Sequence, residues 1–153
     1  MMGSLMTGFL TLKGLVSHLN ITRNVSLLSL NTLSLPGYAE FFCRVSSKDE
    51  LAEALAFARL KTLPVTVLGG GSNVVLVGNV PGLLIHMAIK GINREQSGPK
   101  GQADGQGSIR WTAAGGENWH EFVLHTLANK SYGLENLSLI PGLVGAAPIQ
   151  NRE

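Results

Sequence analysis

Leu63-Pro64-Val65-Thr66-Val67-Leu68-Gly69-Gly70-Gly71-Ser72-Asn73-Val74-Val75-Leu76-Val77 is the stretch on which the fold turns. A β-branched run enters three consecutive glycines, turns through Ser-Asn and leaves as a second β-branched run, which predicts strand, turn and strand. Glycine admits positive φ and removes the Cβ atoms that would hold a ligand away from the main chain. Successive N–H groups in such a turn can converge on an anion. Ser72 and Asn73 add a hydroxyl and an amide at the same place. Two readings stay open on this stretch alone: a pyrophosphate-binding turn for a nucleotide or dinucleotide cofactor, or a glycine-rich hairpin loop with no ligand. A Walker A loop is excluded, because it needs Gly-Lys-Ser/Thr after four spacers and no lysine lies between Lys61 and Lys90. A Rossmann fingerprint is excluded too: Val74 stands where the third glycine belongs, and Val74–Val77 reads as a strand rather than a helix start.

Working upstream, Tyr38–Val45 is a short apolar run with Phe41 and Phe42 and predicts a strand. Ser47-Lys48-Asp49-Glu50 has the spacing of a capping box. The helix it opens sets Leu51, Ala54, Leu55 and Ala58 on one face and leaves Glu50, Glu53 and Arg59 to solvent. Strand, helix and strand make an α/β unit, with the glycine turn at a strand's carboxyl end, where such folds bind ligands. Met1 to about Leu30 carries almost no charge and reads as a poorly ordered extension, with Met6 as an alternative start. Its apolar part, Leu5–Val16, is too short to span a bilayer. It lacks the basic start and small-residue cleavage site of a signal peptide.

Downstream, Gly82–Met87 is another strand candidate. Its His86 has no second ligand at metal spacing and reads as a surface or satisfied core histidine. Asn93–Gly107 is rich in glycine and polar residues and predicts a loop or hairpin tip. Ser108–Ala114 predicts a strand ending at Gly115-Gly116. Glu117 and Asn118 open a helix with Trp119, Phe122, Val123, Thr126 and Leu127 on its apolar face, Glu117 and Lys130 suiting the dipole at its two ends. Neither His120 nor His125 is expected to be a catalyst. The final stretch, Tyr132–Asn151, is dense in residues of special backbone use. Pro141-Gly142 makes a turn, and Gly145, Ala146 and Ala147 allow close approach to the main chain. A helical turn starting at Leu143 would offer a second anion site. Gln150 and Asn151 could reach the edge of a planar heterocycle. A buried helix start after a proline turn is the plainer alternative.

The totals bound the class. The chain has 153 residues, 44% of them apolar, enough for one ordinary domain or two small subdomains with a core. Charged residues make up 14%, low for a stand-alone soluble protein. A net charge of +2 without a basic cluster or aromatic stripe argues against a nucleic-acid partner. Cys43 stands alone, so neither a disulfide framework nor a cysteine metal site is expected, and it reads as a small buried apolar residue.

Taken together, Asn31-Thr32, Leu68-Gly-Gly-Gly-Ser-Asn73, Ala114-Gly-Gly-Glu-Asn-Trp-His120 and Gly133 through Pro141-Gly142 to Asn151 occur in order. From about Asn31 to Asn151 the chain resembles the N-terminal, FAD-binding part of the UDP-N-acetylenolpyruvoylglucosamine reductase family, also called UDP-N-acetylmuramate dehydrogenases. The resemblance implies an α+β, two-subdomain FAD-binding fold of the PCMH/vanillyl-alcohol-oxidase type, incomplete at its C-terminus. Residues 1–30 would be the extension, 31–90 the first FAD-binding subdomain and 91–153 the second, truncated, with the substrate-binding domain absent. It implies cofactor-binding residues Gly69, Gly70, Gly71, Ser72 and Asn73 around the pyrophosphate. Ile140, Pro141, Gly142, Val144, Gly145, Ala146, Ala147, Ile149, Gln150 and Asn151 would form the opposite wall.

The reaction implied is that of a bacterial cytoplasmic flavoenzyme, an oxidoreductase of peptidoglycan synthesis. Hydride passes from NADPH through FAD to the enolpyruvyl double bond of a small nucleotide-sugar substrate, giving UDP-N-acetylmuramate. No nucleic acid, membrane or metal is implied, and the oligomeric state is left open. The family's serine acid, its arginine and its assisting glutamate lie beyond Arg152-Glu153, so no catalytic residue is expected here and the chain alone is expected to be inactive. Weakly held flavin and exposed apolar surface are expected with it. Leu33 stands where the family has Phe. Two alternatives remain: a non-catalytic FAD- or nucleotide-binding module, and a truncated product that does not fold by itself.

Overall fold

A computed structural model of the chain describes residues 19–97 and 108–147. Strand β1 (Ile21–Ser26) and a 3-10 turn at Leu28–Leu30 precede β2 (Tyr38–Val45), α1 (Lys48–Leu60), β3 (Val65–Leu68) and β4 (Val80–Met87). These strands form one sheet in the order β1-β2-β4-β3. β1 runs antiparallel to β2, whereas β2 and β3 both run parallel to β4. A ribbon of β5 (Ile92–Ser97) and β6 (Ser108–Ala113), antiparallel, follows, and then α2 (Trp119–Ala128). No helix among the described residues is long and apolar enough to cross a membrane.

The parallel centre explains the unbroken apolar run of β4. A strand covered on both faces needs apolar side chains at every position, not at alternate ones, and Leu83, Leu84 and Ile85 are all buried. On one face Leu83 and Ile85 join Leu19, Cys43 and Val45 under Ala54 and Ala58 of α1. On the other, Leu84 packs with Leu27, Ala39 and Leu68, closed over by Leu30, Phe42, Val74, Leu76 and Val80. Gly82 has φ of +74°, where a Cβ would strike the Pro64 carbonyl, and its N–H donates to the Glu40 carboxylate at 2.7 Å. That glycine lets β4 pass close behind the start of β3.

The helix caps form largely as their spacing predicts. Ser47 Oγ accepts the Glu50 N–H at 3.1 Å. The Glu50 carboxylate reaches back one residue further than a standard capping box, accepting the Ser46 N–H at 2.6 Å. Asn118 caps α2 by accepting the Glu121 N–H at 3.0 Å. Phe122, Val123 and Thr126 of α2 are buried as the helical spacing predicts.

Several expectations are corrected. Part of the presumed extension is built into the sheet: β1 pairs with β2 from Ile21 to Ser26, and Leu27 is fully buried. Residues 1–18 lie outside the described ones. Val74–Val77 is not a strand but a loop laid along the sheet face, so its alternation of half-buried Val74 and Leu76 with exposed Val75 and Val77 needs no ladder partner. The glycine turn is consequently no hairpin; it belongs to a crossover between parallel neighbours. The start of the predicted loop, Asn93–Ser97, pairs with β6, and residues 98–107 lie outside the described ones. Leu55 is 44% exposed: the buried face of α1 centres on Ala54 and Ala58, and Leu51 and Phe57, not Leu55, pack against the core there. Glu50 and Glu53 are both half-buried rather than solvated.

Cys43 is fully buried, and burial together with the nearby Glu50 charge raises its thiol to about 11. Since the thiolate is the reactive species, Cys43 is expected to resist a thiol-specific disulfide reagent at neutral pH in the native chain. Full reaction should follow only in denaturant; rapid labelling of the folded chain would contradict this packing.

Candidate functional site

Residues 69–73 turn away from the carboxyl end of β3 and face the 142–147 segment across an open groove. Its walls are Val67, Gly69 to Val74, Leu143 and Ala146, around a volume of about 170 Å³. The glycines earn their places by different contacts. At Gly69 and Gly70 a Cβ would lie 3.4 Å and 3.7 Å from the Leu143 side chain, ordinary packing distances. At Gly71, φ is +67° and a Cβ would collide with the Leu30 carbonyl and stand 2.8 Å from Asn31 Cα. Only glycine satisfies both the left-handed backbone and the missing space.

A scaffold behind the turn holds it. The Gly71 carbonyl accepts the Thr32 N–H at 3.0 Å and the Thr32 hydroxyl at 3.2 Å. Asn31, 6% exposed, donates its amide to the Leu27 and Leu35 carbonyls and accepts the Leu35 N–H, at 2.8 to 3.0 Å. Below the turn, the His86 ring is hydrogen-bonded to the Gly69 backbone. Burial, and next the Arg44 charge, lower its pKa below the usual histidine value against that bond. The imidazole is therefore neutral at physiological pH. No side chain of the groove wall carries a charge either. Among the described residues no acceptor takes the N–H of Gly70, Gly71, Ser72 or Asn73. The groove's anion-binding capacity therefore rests on main-chain dipoles, as in nests for phosphate.

The opposite wall is positioned by α2. The Gly142 carbonyl accepts the Trp119 N–H at 3.1 Å, Val144 N–H donates to the Glu117 carbonyl at 2.8 Å, and Gly145 N–H to the Gly115 carbonyl at 3.1 Å. Gly145 and Gly115 meet back to back, a Cβ on Gly145 lying 3.1 Å from Gly115 Cα. Past this point the chain makes one helical turn: the Leu143 carbonyl accepts the N–H groups of Ala146 and Ala147 at 2.9 and 3.2 Å. The indole N–H of Trp119 donates to the Leu137 carbonyl at 2.7 Å, and His120 Nδ1 accepts the Leu139 N–H at 3.2 Å. Both side chains brace the approach to the wall. His125 stands apart, edge-on to the Trp111 ring at 5.3 Å.

The two halves of the structure are pinned where they meet. The Glu117 carboxylate accepts the Gly91 N–H at 2.7 Å and pairs with Lys90 at 3.2 Å. The Gly91 bond first, and Lys90 with it, holds this carboxyl below the usual glutamate pKa. Its side chain is thus tied to the junction as well as standing near the helix start.

Of the residues singled out in the sequence, Gly69, Gly70, Gly71, Ser72, Asn73 and Ala146 line the groove. Gly142 lies behind Gly70, and Val144 and Gly145 hold the wall to Glu117 and Gly115. Ala147 is buried, whereas Ile140 and Pro141 stand on the approach and do not line the groove. Ile149, Gln150 and Asn151 lie outside the described residues. Sequence reasoning missed Leu143 as a wall residue, His86 as a support and Asn31-Thr32 as the scaffold. The Asn31-Thr32 pair was visible as a motif but carried no local signal of its distant partner.

Residues 39–152 match the FAD binding domain family. The chain is 43% identical over 133 residues to UDP-N-acetylenolpyruvoylglucosamine reductase of Pseudomonas fluorescens strain Pf0-1, covering 87% of this chain and 37% of that protein. It is 46% identical over 135 residues to the reductase of that name from Dechloromonas aromatica, covering 87% and 36%. A crystal structure of UDP-N-acetylenolpyruvylglucosamine reductase from Thermus caldophilus superposes with a TM-score of 0.58 at 26% identity, covering 84% of this chain and 41% of that one. The chain thus spans little more than a third of the length of the relatives it matches. Its sheet, ribbon and helices form an α+β FAD-binding fold.

Proposed function

Because the chain belongs to the FAD binding domain family and is related over most of its length to UDP-N-acetylenolpyruvoylglucosamine reductases, we propose that it is the cofactor-holding part of such a reductase. In this reading FAD lies along the groove, its pyrophosphate on Gly70–Asn73 and its remaining length against the 142–147 wall. The observation that carries the reading is the run of N–H groups from Gly70 to Asn73 that have no acceptor among the described residues, on a turn that lines the groove together with Leu143 and Ala146. Donors in that arrangement suit the charged oxygens of a pyrophosphate. The absence of Cβ atoms at Gly69–Gly71 lets those oxygens come close.

When bound, the flavin supplies hydride chemistry, from NADPH to the enolpyruvyl double bond of a UDP-sugar, in the building of peptidoglycan precursor. The chain's own part is to bind and orient. The wall side chains are Val, Leu, Ala, Ser and Asn, none of which titrates near neutrality. The described groove thus offers no general acid for the carbanion that hydride addition leaves. The 153-residue chain by itself is therefore expected to bind flavin without turning over substrate.

Titration with FAD, followed by flavin fluorescence and by the amide resonances of Gly70–Asn73, tests the reading. Saturable perturbation of those amides is expected, with NADPH oxidation in the presence of the enolpyruvyl substrate staying at background. A folded chain whose fluorescence and amide signals do not change at millimolar FAD would overturn the proposal. Substrate-dependent oxidation of NADPH would overturn its non-catalytic part.

A further inference from the structure

We infer that Thr32 is a positioning residue of the groove, setting through the Gly71 carbonyl the direction in which the Ser72 N–H is presented to the cofactor's phosphate. The inference rests on the FAD reading above. A trans peptide points its C=O and its N–H to opposite sides. Whatever holds the Gly71 oxygen therefore also aims the Ser72 N–H, since the two belong to one peptide plane. Thr32, which is not among the residues lining the groove, holds that oxygen twice, with its N–H at 3.0 Å and its hydroxyl at 3.2 Å. The Ser72 N–H therefore points away from Thr32, on a residue that itself lines the groove.

The hold matters because a peptide next to glycine rotates with little steric resistance, both φ signs being open to the residue. If the 71–72 peptide turned over, an oxygen rather than an N–H would face the phosphate, replacing attraction by repulsion. Asn31 provides the fixed base for this device. Its three hydrogen bonds lock the 27–35 loop, so Thr32 reaches the Gly71 carbonyl from a rigid support. Thr32 itself is exposed and takes no part in either buried core cluster. Changing its side chain therefore tests the aiming of the peptide with little disturbance of packing.

The test compares the 153-residue chain with Thr32→Val, which removes the hydroxyl at constant shape, and Thr32→Ser, which restores it. FAD affinity and thermal midpoint without ligand are measured for each. The expected result is about tenfold weaker FAD binding in Thr32→Val, the scale of one hydrogen bond to a charged group. Thr32→Ser should stay within about twofold, as the retained donor implies. The midpoint should be nearly unchanged in both. Equal affinity of Thr32→Val and the parent would overturn the inference. So would a loss that follows the thermal midpoint and is not rescued by serine, because that marks a merely structural role.

Failure of the FAD reading is told apart by the parent chain. If it binds no FAD, inorganic pyrophosphate is titrated instead and the Ser72 amide shift is followed in the three chains. A Ser72 shift in the parent and Thr32→Ser that is lost in Thr32→Val upholds the positioning role without FAD. An unmoved Ser72 amide in the parent overturns it.

Discussion

Gly71→Ala should abolish cofactor binding and lower the thermal midpoint, whereas the neighbouring Gly70→Ala should leave the fold intact. The left-handed backbone at Gly71, φ +67°, costs an L residue about 1–2 kcal/mol. The larger part of the effect is steric. The new methyl would be driven into the Leu30 carbonyl and to 2.8 Å from Asn31 Cα, both main-chain atoms that no rotamer change can move. Either the 27–35 loop or the turn must shift, breaking the Thr32 bonds to the Gly71 carbonyl. A loss of about 3 kcal/mol or more is the scale for strain at a special backbone position combined with broken hydrogen bonds. For a chain of this size it corresponds to a midpoint lower by about 10 °C. At Gly70 the nearest atom to an added methyl is Leu143 Cγ at 3.7 Å, so little must move. Chemical denaturation of the two variants side by side is decisive, since equal midpoints would show that the Gly71 conformation is not enforced.

Leu143→Asp is expected to lose FAD affinity by about 100-fold or more through charge, with Leu143→Asn as its neutral counterpart of the same shape. Leu143 packs against Gly69 and Gly70 and lines the groove opposite the unpaired N–H groups. A carboxylate about 4 Å from a phosphate oxygen repels it by roughly 4 kcal/mol at the effective dielectric of such a site. It would also compete as an anion for those same N–H groups. Leu143 is only half-buried, so the fold should survive either change. Asn removes the same packing without adding charge, and its loss of affinity should be smaller by about tenfold or more, with the difference shrinking as salt is raised. If the two variants bound FAD equally, the phosphates would not lie near Leu143.

Much of this arrangement was legible in the sequence where local chemistry has only one solution. Three glycines before Ser72-Asn73 after a β-branched run had to form a tight turn at a strand end. The spacings Ser47 to Glu50 and Asn118 to Glu121 marked helix starts, and the 119–127 periodicity found the buried face of α2. Misreadings came where a pattern has two physical causes. Alternation at Val74–Val77 arises from an extended loop lying on the sheet as readily as from a paired strand. The 1–30 stretch, with almost no charge, looked unstructured because β1 is an edge strand whose polar Thr22, Arg23 and Asn24 face solvent, while Leu27 beyond it is driven fully into the core.

Legible from the sequence were the elements that rest on neighbouring residues: the turn that demands glycine, the capped helices, the strand β4 and the kinship with the FAD binding domain family. The tertiary structure alone decided what stands behind and across from that turn. Thr32 and Gly71 are 39 positions apart, and Leu143 lies further still from Gly69. No local propensity reports such a meeting, because the free energy that enforces it comes from packing and hydrogen bonds made only once the chain has closed on itself.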